Sequence, residues 1–99
     1  MVPRRPRYFF LVAYDIADNN RREEVSDLLS GHGPRVQYSV FEVALPSKAA
    51  TARLRAALKK LIDPEEDQIR LYPLSAPGLN EITILGNRRL EERADFWIV

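Results

Sequence analysis

Hydrophobic positions along the chain fall into short blocks with strand-like and helix-like spacing. The first block, residues 8–14, is apolar or aromatic at every position, which is typical of a central strand covered on both faces. Any of three polar residues, 18–20, can cap the helix that follows, whose apolar stripe ends at Gly31 and Gly33. The pattern therefore predicts a buried strand followed by an amphipathic helix.

The second block, residues 35–45, is again strand-like. Apolar residues alternate on one face as far as Val40 and then continue on the other face from Phe41. This change of phase indicates either a bulge in one strand or a very tight turn between two strands. The sequence leaves both open.

The rest of the chain reads as one helix and two short strands. Pro46 and Ser47 begin the helix, and Asp63-Pro64 closes it. Residues 68–74 and 81–85 are predicted strands, joined by a turn at 76–78.

Two helices and about five strands in the order βαβ(β)αββ fit a single α+β domain over residues 1–99, a ferredoxin-like βαββαβ sandwich. Residues 1–7 form a basic N-terminal tail, and residues 88–99 a charged segment that ends in four apolar residues. Apolar residues at a free end are costly to expose, so this segment is expected to add a strand to a sheet edge.

Composition narrows the class of protein. The 99 residues are 45% hydrophobic and 29% charged, as in soluble globular proteins, and a chain this short gains from a second copy that shares its core. The absence of cysteine excludes disulfides and thiolate metal sites and is compatible with a reducing, cytoplasmic location. No apolar run approaches the ~18 residues of a membrane span, so no membrane association is expected.

Charge adds a weak indication. The net charge is only +1, but twelve of the fifteen basic residues are arginine, whose planar group suits phosphate. Genomic base composition or adaptation to heat produces the same bias.

Candidate chemistry centres on Asp15, an acid directly after the first buried strand. His32 is the single histidine and lies in a glycine loop, and the serines have no evident base partner. Acids and arginines remain, which suit metal-assisted phosphodiester chemistry. Mg²⁺ needs only one or two carboxylates, so one Asp15 per chain suffices if a two-fold axis brings in its twin. Asp15 could instead cap the next turn or pair with an arginine.

Three sequence blocks, YDIADNNRREEV, GPRVQYSVFEVAL and DQIRLYPL, resemble in order and spacing the second core CRISPR-associated adaptation protein family. The resemblance runs from about Tyr8 to Gly86. It implies a ferredoxin-like fold, a homodimer whose C-terminal strand joins the partner's sheet, and a spacer integrase as partner.

The resemblance also implies site residues. Asp15 matches the aspartate that two subunits bring together, where Mg²⁺ or Mn²⁺ can bridge them. Four further residues match positions implicated in nuclease activity: Tyr14, Arg22, Arg35 and Phe41. Tyr14 and Phe41 could instead be core aromatics, and Arg22 could pair with Asp18 or Asp27.

Family members divide between metal-dependent ribonucleases or deoxyribonucleases and non-catalytic bridges that hold DNA between integrase dimers. Binding to the DNA or RNA backbone is expected in both cases. A toxin ribonuclease like virulence-associated protein D shares the architecture. An RNA-recognition module is disfavoured, because its sheet keeps one face open and the first strand is apolar on both faces.

Overall fold

The computed structural model describes residues 8–86. The elements are β1 (Tyr8–Asp15), α1 (Asn19–Ser30), β2 (Arg35–Gln37), β3 (Val40–Leu45), α2 (Lys48–Leu61), β4 (Gln68–Leu74) and the short α3 (Ala76–Leu79). This order confirms the predicted ferredoxin-like α+β fold. Two predicted segments lie outside the described residues: the basic tail 1–7, which contains Arg4, Arg5 and Arg7, and the strand-swapping segment 88–99.

The sheet has the strand order β2-β3-β1-β4, and β1 is antiparallel to both of its neighbours. β1 is therefore central, as predicted. Phe10, Val12 and Tyr14 point from it into a core that both helices cover. The expected cover on its second face is missing within residues 8–86, because α1 and α2 lie on the same side. There, Phe9, Leu11 and Ala13 are half-buried.

The phase change in the second block is a tight turn. Tyr38 and Ser39 connect β2 to β3, and the Ser39 carbonyl accepts a hydrogen bond from the Tyr14 amide at 3.0 Å. The pairing also shifts register between Arg35 and Gln37. The turn thus ties the end of β1 to the edge of the sheet.

Local signals place both long helices. The Asp18 carboxylate accepts from the Arg21 amide at 2.9 Å, and Ser47 Oγ accepts from the Ala50 amide at 3.0 Å. These contacts satisfy amides that have no partner within the helix. Gly33 lies against β3 so closely that a Cβ would stand 1.8 Å from the Glu42 carbonyl oxygen, so a side chain does not fit there.

The strand predicted at 81–85 is wrong, and the turn predicted at 76–78 is the single helical turn of α3. Ser75 caps the short α3, and local backbone hydrogen bonds continue through the amide of Ile82. Because these bonds keep the chain in tight turns, it does not fold back on β4 as a hairpin. Residues 82–85 pair with no strand in the described part, and Leu85 is 90% exposed. Among residues 8–86, no helix has the length and apolar character needed to cross a membrane.

Candidate functional site

Asp15 is the last residue of β1 and lies opposite Gln68 of β4. Its side chain is exposed, on the sheet face that the helices leave open, because neighbouring strand residues alternate between faces and Tyr14 points into the core. No side chain within residues 8–86 forms a hydrogen bond or ion pair with its carboxylate. The structural alternative, in which Asp15 caps a turn or pairs with an arginine, is therefore wrong for the described chain.

The turn after Asp15 is held by Arg22 from inside α1. The Nε and Nη2 atoms of Arg22 donate to the carbonyl oxygen of Ile16 at 3.2 and 2.6 Å, and Nη1 donates to Asn19 Oδ1. The suggested pairing of its side chain with Asp18 or Asp27 is not what occurs. Arg22 instead fixes the Ile16–Ala17 peptide, one residue beyond Asp15.

The same turn is held from its other side by Asp67, whose side chain is fully buried. Its carboxylate accepts from the Ala17 amide at 3.0 Å, the Asp63 amide at 2.8 Å and Arg21 Nε at 2.7 Å. The hydrogen bond from Arg21 is the largest of the effects that hold the pKa of Asp67 well below its usual range. The sequence pattern did not identify this residue; the arginine pair at the start of α1 was its visible signal.

Four predicted site residues meet on the helix side of the sheet. The rings of Tyr14 and Phe41 stack with centroids 6.3 Å apart, and the guanidinium carbon of Arg35 lies 5.4 Å from the centre of the Phe41 ring. Arg35 Nη2 donates to Ser26 Oγ at 2.5 Å. A pocket of about 260 Å³ opens here, lined by Tyr14, Asn19, Arg22, Glu23, Ser26, Arg35 and Tyr38.

The structure therefore divides the five predicted site residues between two faces. Tyr14, Arg22, Arg35 and Phe41 lie together among or beside the helices, whereas Asp15 lies on the open face. Arg22 links the two groups, since it lines the pocket and also binds the backbone next to Asp15.

The histidine and three of the serines considered in the sequence analysis have structural roles. The backbone of His32 donates to the Leu29 carbonyl and accepts from the Ala44 amide, which fixes the loop after α1. Ser47 and Ser75 cap helices, and Ser30 Oγ donates to the Asp27 carbonyl. These contacts stabilise loops and helix ends, and none of them joins a nucleophile to a base.

A metal at Asp15 is chemically reasonable as a shared site. Within residues 8–86, no group of three or more His, Cys, Asp or Glu side chains could hold a metal ion. Asp15 offers one exposed carboxylate. Mg²⁺ keeps several waters and takes one or two carboxylates besides substrate phosphates.

Comparison with known proteins identifies the family. The family model for CRISPR associated protein Cas2 matches residues 8–82. The chain belongs to the Cas2 family. This confirms the resemblance noted from the sequence.

The relatives extend the match over most of the chain. The CRISPR-associated endoribonuclease Cas2 3 of Synechocystis sp. is 47% identical over 79 residues, which is 80% of this chain and 85% of that protein. The crystal structure of Streptococcus pyogenes Cas2 has a TM-score of 0.70 and 31% identity, over 79% of this chain and 99% of that one. The names of the curated relatives agree with the predicted nuclease function.

A third relative is part of an assembly. A chain of a partial Cas6-RT-Cas1–Cas2 complex matches with a TM-score of 0.70 and 30% identity, over 88% of this chain and 95% of that one. Cas2 family membership favours the adaptation protein over the toxin ribonuclease and the RNA-recognition module.

Proposed function

We propose that this Cas2 family protein acts in CRISPR adaptation as a cytoplasmic homodimer that binds the nucleic-acid backbone and cleaves phosphodiester bonds with a divalent metal. The observation that carries the proposal is the exposed carboxylate of Asp15, which has no hydrogen bond or ion pair within residues 8–86 and precedes a turn fixed by partly buried polar contacts. A protein that positions a carboxylate so firmly and gives it no partner in the described chain leaves it available to a cation or substrate.

The open face of the sheet supports a dimer. Besides Asp15, it carries the half-buried Phe9, Leu11 and Ala13 of β1 and the exposed Tyr72 of β4, which lies opposite Leu11. A second copy packed on this face buries these side chains and brings a second Asp15 near the first. Two close carboxylates repel each other unless a cation or proton lies between them, so the dimer favours metal binding.

The residues of this chain then have separate tasks. Asp15 from each subunit would hold Mg²⁺ or Mn²⁺, and the ion would supply Lewis-acid chemistry, polarising a phosphate and lowering the pKa of an attacking water. Arg22 and Asp67 hold the turn that carries Asp15. Arg35, Tyr14 and Phe41 pack the end of β1 from the helix side, and the pocket beside them has room for part of a substrate strand.

A Cas1-type integrase is the proposed protein partner, since a structural relative at 30% identity belongs to a Cas1–Cas2 complex. In that setting the dimer also bridges integrase subunits. The nuclease role and the bridging role differ in what they require of Asp15, because only cleavage needs its charge.

A heterodimer with one Asp15→Asn subunit tests the shared site. We expect it to cleave single-stranded RNA or duplex DNA far more slowly than the wild-type dimer in Mn²⁺, while light scattering still gives a dimer mass. EDTA should abolish cleavage by the wild type. Full activity of the heterodimer would disprove a site that needs both carboxylates.

The roles of nuclease and bridge separate in cells. If Asp15→Asn abolishes cleavage but leaves spacer acquisition unchanged, the bridge is the biological role and the nuclease activity is dispensable for adaptation.

A further inference from the structure

The pocket of about 260 Å³ lies on the helix side of the sheet. Its wall comes from the end of β1, the first two turns of α1, and β2 with the turn that follows it. Tyr14 contributes to this wall, whereas the side chain of Asp15 lies on the open face. The pocket is therefore separate from any metal that Asp15 holds.

Arg22 brings a positive charge without a counter-ion to this pocket. Its hydrogen bonds go to neutral oxygens, two to the Ile16 carbonyl and one to Asn19 Oδ1, and it forms no ion pair within residues 8–86. A guanidinium group has five N–H donors, so two of those of Arg22, one on each terminal nitrogen, have no acceptor in the described chain. Arginine commonly donates two hydrogen bonds to one phosphate.

The rest of the polar wall also favours an anion. Arg35 adds a second guanidinium group, which is held over the Phe41 ring and donates to Ser26 Oγ at 2.5 Å. Glu23 is the one acidic side chain on the wall, and it is exposed. Two guanidinium groups against one exposed carboxylate give the wall a net positive charge.

Tyr38 adds an aromatic surface to the pocket. It lies in the tight turn after β2 and is 71% exposed, so its ring contributes little to the core. Nucleic-acid bases stack on exposed aromatic rings of this kind. The volume is close to the lower end of the ~300–1,000 Å³ of small-molecule pockets, which suits a ligand of the size of one nucleotide.

The surroundings favour one nucleotide over a strand that continues past the pocket. Glu24 and Asp27 are exposed neighbours of the lining residues Glu23 and Ser26, and their carboxylates repel further phosphates. A phosphomonoester carries about 1.5 to 2 negative charges at pH 7, whereas a phosphodiester within a strand carries one. The monoester therefore gains more from the two guanidinium groups.

We infer that this pocket binds the phosphomonoester of one nucleotide, either a free nucleoside monophosphate or the terminal nucleotide of a strand. The phosphate contacts Arg22 and Arg35, and the base stacks on Tyr38. The inference goes beyond the proposed cleavage at Asp15, since binding in the pocket needs neither that carboxylate nor a metal.

Calorimetric titration of the Asp15→Asn protein in EDTA tests the pocket with no metal present. 5′-AMP should bind at least about tenfold more tightly than adenosine or inorganic phosphate, because each of these lacks one of the two recognised groups. Tyr38→Ala should weaken AMP binding at least about fivefold through the lost stacking, whereas Tyr38→Phe should preserve it.

Charge is tested at the exposed rim, where a substitution leaves the core intact. Glu23→Gln removes the carboxylate that lines the pocket and should tighten AMP binding about twofold to fivefold. Glu24→Gln makes the same change at the next residue, which does not line the pocket, and should alter the affinity less. Arg22→Gln should weaken AMP binding at least about tenfold, with circular dichroism showing that the variant is folded.

Two tetranucleotides identify the source of the phosphate. Displacement of AMP by the 5′-phosphorylated form at similar affinity would show that the pocket accepts strand ends, and weak displacement would show that it takes free nucleotides. Equal displacement by the 5′-hydroxyl form would overturn the inference, because the monoester would then not be recognised.

The pocket and the proposed function fail in different ways. Absence of AMP binding, adenosine that binds as tightly as AMP, or an affinity unaltered in either Tyr38→Ala or Arg22→Gln would overturn the pocket alone. A wild-type protein that binds AMP but shows no metal-dependent cleavage would overturn the proposed nuclease function and leave the pocket in place.

Discussion

Tyr14 and Asp15 are consecutive in β1, yet their side chains lie on opposite faces of the sheet in opposite environments. Tyr14 is 7% exposed and stacks on Phe41 among the helices. Asp15 is exposed and has no side-chain partner within residues 8–86. Two residues that are neighbours in the family pattern thus have different roles: Tyr14 packs in the core and supports the end of β1, whereas Asp15 presents an accessible carboxylate.

The difference teaches how a loss of activity should be interpreted. A substitution on the helix side can remove activity because the end of β1 loses its packing. A substitution of Asp15 can remove it only through charge or contact with ligand. Stability measured beside activity distinguishes the two, and the expected losses of stability decrease in the order that follows.

Phe41→Ala should have the largest effect. Phe41 is 1% exposed, and removing a buried aromatic side chain costs about 3–5 kcal/mol, a large part of the stability of a small domain. Urea denaturation should show a much lower midpoint, with the milder Phe41→Leu in between. An unchanged midpoint together with lost cleavage would mean that Phe41 belongs with Asp15 in the chemistry.

Asp67→Asn should destabilise the fold in a pH-dependent manner. Since folding lowers the pKa of Asp67, its charge contributes fully to stability above the unfolded value of about 4. That contribution is lost progressively as the pH falls from there through the lower pKa of the folded state. The melting temperature of the variant should therefore fall several degrees below wild type at pH 7. The gap should narrow below pH 4.

Glu66 provides the matched control for Asp67. Both carboxylates contact Arg21, but the Glu66 side chain is 59% exposed. Glu66→Gln should leave the melting temperature nearly unchanged. A similar loss for both variants would show that Arg21, and not the buried carboxylate, holds the turn.

Arg22→Gln should lower the free energy of unfolding by about 1–3 kcal/mol, less than Phe41→Ala, because the Ile16 carbonyl loses two donated hydrogen bonds. Arg22→Lys keeps the charge but not the two-pronged contact. If Arg22 positions the turn, both variants should raise the Mn²⁺ concentration needed for half-maximal cleavage. Normal metal dependence in Arg22→Lys would indicate that only its charge matters.

The sequence predicted what depends on local periodicity and failed where distant residues meet. The apolar run before Asp15 identified the central strand. Three candidate caps at 18–20, of which the structure uses Asp18, and Ser47 indicated the helix starts. Asp67 was missed because its contact with the Ala17 amide joins residues 50 positions apart. Nothing local in DPEED distinguishes the acid that becomes buried from its exposed neighbours.

The wrong strand at 81–85 and the unassigned sheet faces of the site residues have related causes. Residues 81–85 have strand-like alternation, but a strand needs a partner, and periodicity does not report whether one is available. In the same way, a family pattern names Tyr14, Asp15 and Arg22 without stating which face of the sheet each occupies. Both pieces of information come from tertiary packing.

Asp15→Asn should have the smallest effect on stability and still abolish cleavage. The side chain is exposed and forms no hydrogen bond or ion pair within residues 8–86, so the free energy of unfolding should stay within about 0.5 kcal/mol of wild type. The substitution replaces a negatively charged carboxylate with a neutral amide, whose single carbonyl oxygen attracts the cation much less strongly. Calorimetric titration with Mn²⁺ should show weakened binding together with lost cleavage, and relief of repulsion between the two carboxylates should leave the dimer intact or slightly more stable. Asp27→Asn, which makes the same change at an exposed acid of α1, should alter neither property. Cleavage that survives in Asp15→Asn would place the chemistry on the helix side. Arg35 and Tyr14 would then be candidates for catalysis, and Asp15 would not be needed for it.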